Sequence, residues 1–317
     1  MKRVPLAILP TRLEKESRLS KHYGIELYIK HDETTEFVGS GNKIRKLEFL
    51  MAEALSMGAT TVFTCGGVQS NHARATVYVC RKLGLKPVIF LRSTTGDELQ
   101  GNFLLNTLMG SEIIRVTKEE YENIDEIFSY EKERRERRGE RVYIIPEGGT
   151  NATGIWGYVK VVDELEEQTN LEEIEGIYCA VGSGGTALGL AIGLEVKNYR
   201  TQVFGVNVTK RPGTFYYNRM KDILKSLEEK GINLPHVLDR IHIMDEFSGP
   251  GYAIPTDDDL KIISEVASIS GMILDPVYTA KAFRGMVESA RKSRKYVFIH
   301  TGGTFGIFAF AKFFERR

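Results

Sequence analysis

The residues best placed to do chemistry begin with Ser40–Lys46, which reads SGNKIRK. Asn42 is an N-cap by type, and Ile44, Leu47, Leu50, Met51, Ala54 and Leu55 recur at helical spacing behind it. The first turn of that helix carries Lys43, Arg45 and Lys46, with no acid before Glu48. Cations there face the positive end of the helix dipole, where acids are favoured. Neighbouring cations and a helix N-terminus penalise the charged form of a lysine, and a neutral lysine amine is a nucleophile. The pattern predicts an activated Lys43, with Arg45, Lys46 and the helix start lowering its pKa. Taken alone, this turn fits a solvent-exposed lysine better.

A second group is glycine-rich. Four strand-like runs end in a double glycine, at Gly66-Gly67, Gly148-Gly149, Gly184-Gly185 and Gly302-Gly303, each before a helix start. Ligands of open parallel sheets bind beyond the carboxyl ends of the strands. Glycine lets backbone approach them, and helix N-termini offer free N–H groups. In AVGSGGTALGL, the N–H groups of Gly182, Ser183, Gly184, Gly185 and Thr186 and two hydroxyls could cradle a phosphate. A plain strand–turn–helix corner reads the same. A Walker A loop would need a lysine, which is missing. Gly182-x-Gly184-x-x-Ala187 matches a dinucleotide fingerprint, but the next strand, QVFGVNV, lacks the acid that holds a ribose. A lone phosphate together with a placed lysine points to pyridoxal phosphate, which needs an amine to bind covalently and a grip on its phosphate.

These groups need a scaffold. Short runs rich in β-branched and aromatic residues, ELYIKHD, TTVFTCGG, KPVIFLR, EIIRV, RVYIIPEGG, GIYCAVGSGG, QVFGVNV and KYVFIHTGG, alternate with helical patterns. The expected fold is α/β, with two open, twisted, mostly parallel sheets flanked by helices. A length of 317 residues suggests two domains, and the composition, 42% hydrophobic and 27% charged, is ordinary for a globular chain. A formal charge of +1 gives no reason to expect a nucleic-acid or membrane partner. YEKERRERRGERVY mixes acids with its bases and reads as a solvated helix. Cys65, Cys80 and Cys179 form no CxxC pair, which fits a reducing, cytoplasmic setting. The six histidines are scattered, so no metal is expected.

Seven segments in order, GSGNKIRKLEFL, CGGVQSNHAR, IPEGGTNATGIWGY, VGSGGTALG, SGPGYAIP, DPVYTAKA and FIHTGG, resemble the 1-aminocyclopropane-1-carboxylate (ACC) deaminase and D-cysteine desulfhydrase family. That family has pyridoxal phosphate fold type II, similar to the tryptophan synthase β subunit. The resemblance implies a larger cofactor-binding domain of residues 1–44 plus 156–317, a smaller inserted domain of residues 45–155, and a homodimer. It implies that Lys43 carries the cofactor and moves the substrate's α-proton. Asn71 would face the cofactor's phenolic oxygen, Gly182–Thr186 would hold its phosphate, and Thr301 would meet the pyridine nitrogen. Ser70, Asn71 and His72 would bind the substrate at a helix N-terminus, though Ser70 also fits a simple N-cap. Tyr252 and Tyr278 match two catalytic tyrosines, and Thr279 faces the substrate.

Thr279 and Thr301 resemble the desulfhydrase branch, because the deaminases carry glutamate and leucine there. A neutral hydroxyl at the pyridine nitrogen leaves the ring a weaker electron sink, which suits β-elimination. The expected reaction is therefore elimination from a small D-amino acid, D-cysteine to pyruvate, ammonia and sulfide. The alternatives are ACC deamination to 2-oxobutyrate and ammonia, elimination from D-serine or cysteate, and a non-catalytic cofactor carrier. Against the carrier stand Ser70, Tyr252 and Tyr278. A nicotinamide dehydrogenase is the weakest reading.

Overall fold

The computed structural model describes residues 2–93 and 97–315. In chain order the strands are β1 (Leu13–Lys15), β2 (Glu26–Lys30), β3 (Thr61–Gly67), β4 (Lys86–Arg92), β5 (Glu112–Val116), β6 (Val142–Ile144), β7 (Ile174–Val181), β8 (Gln202–Asn207), β9 (Ile241–Met244) and β10 (Lys295–Ile299). The α-helices are α1 (Ser17–Tyr23), α2 (Asn42–Ser56), α3 (Asn71–Lys82), α4 (Gly101–Leu108), α5 (Lys118–Glu122), α6 (Ile124–Glu136), α7 (Trp156–Gln168), α8 (Gly185–Val196), α9 (Gly213–Glu228), α10 (Asp257–Ser270), α11 (Thr279–Ser289) and α12 (Thr304–Ile307). All eight strand-like runs of the sequence form strands. β1 and β9 are additional edge strands.

Two sheets result. One runs β1-β2-β10-β7-β8-β9 and is parallel except at β1, which pairs antiparallel with β2. The other runs β5-β4-β3-β6 and is parallel throughout. Strands buried on both faces carry near-continuous apolar runs, as β3 and β7 do apart from Thr61, Thr64 and Glu175. One layer of the first sheet's core joins Ile177, Val203 and Val297 to Ile155 and Val162 around α7 and to Leu188 and Ile192 of α8. Its other face packs Phe283 and Met286 of α11 and Ile263 of α10 against Phe298.

Helix α2 packs on the second sheet. Its stripe of Ile44, Leu47, Leu50, Met51 and Ala54 meets Val62 of β3 and Ala75 and Val79 of α3. Leu55 falls off that stripe and is exposed. Phe63, Phe90 and Phe128 fill the opposite side, under α6. The charged surface of α6 pairs acids with bases, and its buried Arg135 is held by Glu112. The cysteines are three separate buried thiols. Among the described residues no helix is long and apolar enough to cross a membrane.

Candidate active site

The carboxyl ends of β3, β7 and β10 and the turn after β6 converge on one cleft. It is bordered by Lys43, Gly66, Gly67, Ser70, His72, Arg92, Glu147, Gly148, Gly182, Ser183, Arg211, Tyr252 and Tyr278. An inner recess adds Asn42, Asn71, Gly184, Thr186 and Thr301. All four double-glycine turns lie at or beside it. Gly148 and Gly149 sit in a short 3-10 turn, with φ of 69° and 62°, rather than directly at a helix start.

Lys43 lies in the first turn of α2, but Asn42 is not the cap. The cap is Gly41, whose φ of 100° puts it in the left-handed region. A Cβ there would come within 2.7 Å of the Thr301 carbonyl. Asn42 instead starts the helix: its N–H donates to the Thr301 carbonyl at 3.0 Å and its amide donates to Thr186 Oγ1 at 3.1 Å. The helix start is thus tied to the turn after β10 and to the first turn of α8, and Lys43 borders both the cleft and its inner recess.

Lys43 is partly exposed, toward the cleft. Its pKa falls to about 8, chiefly because burial penalises the ammonium; Glu147 opposes the shift and Arg219 adds to it. This corrects the expectation that Arg45 and Lys46 activate it. Arg45 is buried and compensated by a bidentate pair with Asp32, at 2.9 and 2.8 Å, and by Glu164 at 2.7 Å. Burial and Lys43 itself push Lys46 well below its usual range. Lys46 Nζ rests 3.3 Å from the Gly148 carbonyl and 3.2 Å from Thr150 Oγ1.

The glycine loop of residues 182–186 leads into α8. Gly184 caps that helix with φ 86° and supplies no side-chain partner, so the first N–H groups of α8 face the recess. The Ser183 hydroxyl bonds to Thr150 Oγ1 at 2.7 Å. Gly148 lets the two segments close: a Cβ there would meet Ser183 Oγ at 2.4 Å, with Lys43 Nζ 3.7 Å away. At Gly185 a Cβ would strike Thr150 and Lys46. An uncapped helix start within the reach of a depressed lysine fits a phosphate-bearing aldehyde, which needs both groups.

On the other wall, Ser70 caps α3 by accepting from the Ala73 N–H at 3.1 Å. Asn71 follows, its Oδ1 accepting from Asn102 at 2.8 Å. His72 is buried against Thr64 Oγ1 at 2.9 Å and is kept neutral by burial and by Lys43 and Lys46. Thr301 borders the recess and is nearly buried. Thr279 stands apart: fully buried at the start of α11, its hydroxyl donates to Asp275 Oδ1 at 2.8 Å. Its local role as partner of Asp275 keeps it away from the cleft, against the expectation that it faces the substrate.

Sequence reasoning passed over Arg92, Glu147 and Arg211. Glu147 lies within IPEGG, so its neighbourhood to a ligand turn was visible. Nothing near Arg92 or Arg211 in the sequence marked them.

The model of the family described as "Pyridoxal-phosphate dependent enzyme" matches residues 4–302. The chain is 55% identical over 309 residues to a Thermotoga maritima protein named "Putative 1-aminocyclopropane-1-carboxylate deaminase", covering 97% of this chain and 98% of that protein. It is 36% identical to a D-cysteine desulfhydrase of Klebsiella pneumoniae, covering 97% and 96% of the two chains. It is 38% identical to an Arabidopsis thaliana mitochondrial protein named for both activities, covering 96% and 78%. The crystal structure of an ACC deaminase homologue superposes with a TM-score of 0.89 at 37% identity, over 98% of this chain and 94% of that one.

Proposed function

The chain belongs to the pyridoxal-phosphate dependent enzymes, and on that footing we propose that it eliminates the β-substituent of a small D-amino acid, with D-cysteine giving pyruvate, ammonia and sulfide. The observation that carries this choice is Thr301, a neutral hydroxyl in the recess below Lys43. Bound pyridoxal phosphate supplies an electron sink for the substrate's α-carbon. A hydroxyl at its ring nitrogen leaves that sink weak, which is enough when a leaving group departs.

The protein's own groups divide the remaining work. The start of α8, with Ser183 and Thr186, receives the phosphate. The start of α3, with Ser70 and Asn71, receives the substrate carboxylate through backbone N–H groups and the helix dipole. Lys43, with its pKa near 8, supplies a neutral amine in slightly alkaline solution and takes the α-proton. The Cβ–S bond breaks with its electron pair going to sulfur. Water then replaces the nitrogen, releasing ammonia. Neutral His72 fills the space behind Ser70 without adding charge.

A second reading, ACC deamination to 2-oxobutyrate and ammonia, is favoured by the 55% identity to the Thermotoga maritima protein. It uses the same amine and the same carboxylate site. One experiment separates the two: sulfide release from D- and L-cysteine and 2-oxobutyrate release from ACC, measured for the wild type and for Lys43→Ala. Sulfide mainly from D-cysteine, lost in Lys43→Ala, is the expected result. 2-Oxobutyrate without sulfide would replace the first reading by the second.

A further inference from the structure

Arg92 ends β4 and borders the same cleft as Lys43, Ser70, Tyr252 and Tyr278. Its guanidinium carbon lies 5.2 Å from the centre of the Tyr121 ring and 5.6 Å from that of Tyr252. Two aromatic rings steady the planar cation, so its fork of N–H donors is presented rather than left to wander. Among the described residues Arg92 makes no ion pair.

The acid of the cleft is already engaged. Glu147 Oε1 accepts from the Tyr121 hydroxyl at 2.8 Å, and its Oε2 lies 3.7 Å from Arg211. Glu147 is thus shared between the Tyr121 hydroxyl and Arg211, and no acid among the described residues pairs with Arg92. A cation without a counter-ion in a partly desolvated cleft attracts an anion. Arg92 is also the register partner of Gly67, three residues before Ser70. It stands one strand beyond the proposed carboxylate site, on the side of Tyr252.

We propose that Arg92 recognises a negative charge on the β-substituent of the substrate, so that the cleft also takes small α-amino acids whose departing group is an oxyanion. This rests on the elimination reading of the site. With serine O-sulfate, Lys43 takes the α-proton and the Cβ–O bond breaks. Its electron pair leaves with sulfate, and water then yields pyruvate and ammonia.

The test compares holoenzyme with Arg92→Gln and Arg92→Lys. Dissociation constants for alanine and aspartate, both enantiomers, are read from the absorbance of the bound cofactor. Aspartate differs from alanine by a β-carboxylate that elimination does not remove. The wild type is expected to bind aspartate about tenfold or more tightly than alanine. Arg92→Gln erases that preference and Arg92→Lys keeps part of it. The ratio of kcat/KM for serine O-sulfate to that for β-chloroalanine falls by at least about tenfold in Arg92→Gln. Equal affinity for the two ligands in the wild type, or an unchanged ratio in Arg92→Gln, overturns the proposal and leaves Arg92 as packing for Tyr252. If the wild type does not turn over β-chloroalanine, the elimination reading fails, while the two dissociation constants still decide the role of Arg92.

Discussion

The hydroxyls of Tyr252 and Tyr278 stand 2.7 Å apart, with their rings at 73° to each other, on the cleft wall. Burial raises Tyr252 to about 12 and Tyr278 well above its usual value. Both keep their protons at working pH. One hydroxyl donates to the other, leaving one proton free for a ligand. On the proposed reading of the site, the pair acts as a proton donor or hydrogen-bond clamp rather than as a base. Tyr252→Phe and Tyr278→Phe are each expected to lower kcat by about 10², measured by steady-state kinetics, with the bound-cofactor absorbance retained.

Lys43 ties stability to pH. Its folded pKa of about 8 lies below the ordinary 10.5. Between those values the unfolded chain holds a proton that the folded one lacks, so the contribution of Lys43 to stability rises with pH. Below pH 8 both states are protonated and the folded state carries the full penalty, on the order of 1–3 kcal/mol. Cofactor-free Lys43→Met should therefore be more stable than cofactor-free wild type at pH 7. Urea unfolding at several pH values should show the difference shrinking from pH 8 toward 10.5. A constant difference would mean that burial does not shift Lys43.

Gly148 is required by both its angle and its closeness to Ser183. An alanine there costs about 1–2 kcal/mol in the left-handed region and pushes the Ser183 hydroxyl off Thr150. Gly148→Ala is expected to weaken pyridoxal phosphate binding roughly tenfold, as measured by equilibrium dialysis. Gly139, which has φ 87° but open space where a Cβ would stand, is the control: its alanine variant should bind the cofactor normally.

The pair Arg45–Asp32 lies in the interior, and Asp32 also accepts from Thr11 Oγ1 at 2.8 Å and from the Tyr158 hydroxyl. Removing one partner of such a pair strands the other. Asp32→Ala is expected to cost about 3–5 kcal/mol, read from urea unfolding of the holoenzyme. Because the pair anchors the helix that carries Lys43, cofactor loss on dialysis should quicken as well.

The strands were legible wherever apolar runs were long and ended in paired glycines, as in TVFTCGG and IEGIYCAV. β1 was not, because LEK is three residues with two charges and pairs only at an edge. β9 was passed over because IHIM is a short edge run with a histidine inside it. Of the candidate site, the glycine turns and Lys43 announced themselves through residue types that are poor choices unless a ligand is near. Two of the misreadings share a cause: partners that are distant in the chain. Asn42 looked like a cap because Thr186 lies 144 residues away. Arg45 looked like an activator because nothing local reveals its pairing with Asp32 and Glu164. Thr279 is different: the partner that takes its hydroxyl, Asp275, is four residues away and is brought to it by the turn before α11.

Helix α2 is fastened at two ends of its job. Its first residues hang from the Thr301 carbonyl, just after β10, and the Thr186 hydroxyl, at the start of α8, both at the six-stranded sheet. Its apolar stripe is sunk in the core of the four-stranded sheet. The Lys43 amine thus sits close to the point where the two sheets share a fixture, like a pin near the axle of a hinge. A rotation of one sheet against the other would sweep Ser70 and Arg92 through an arc while displacing Lys43 little. The cleft could open to exchange small molecules without levering on Lys43, the residue proposed to hold the cofactor.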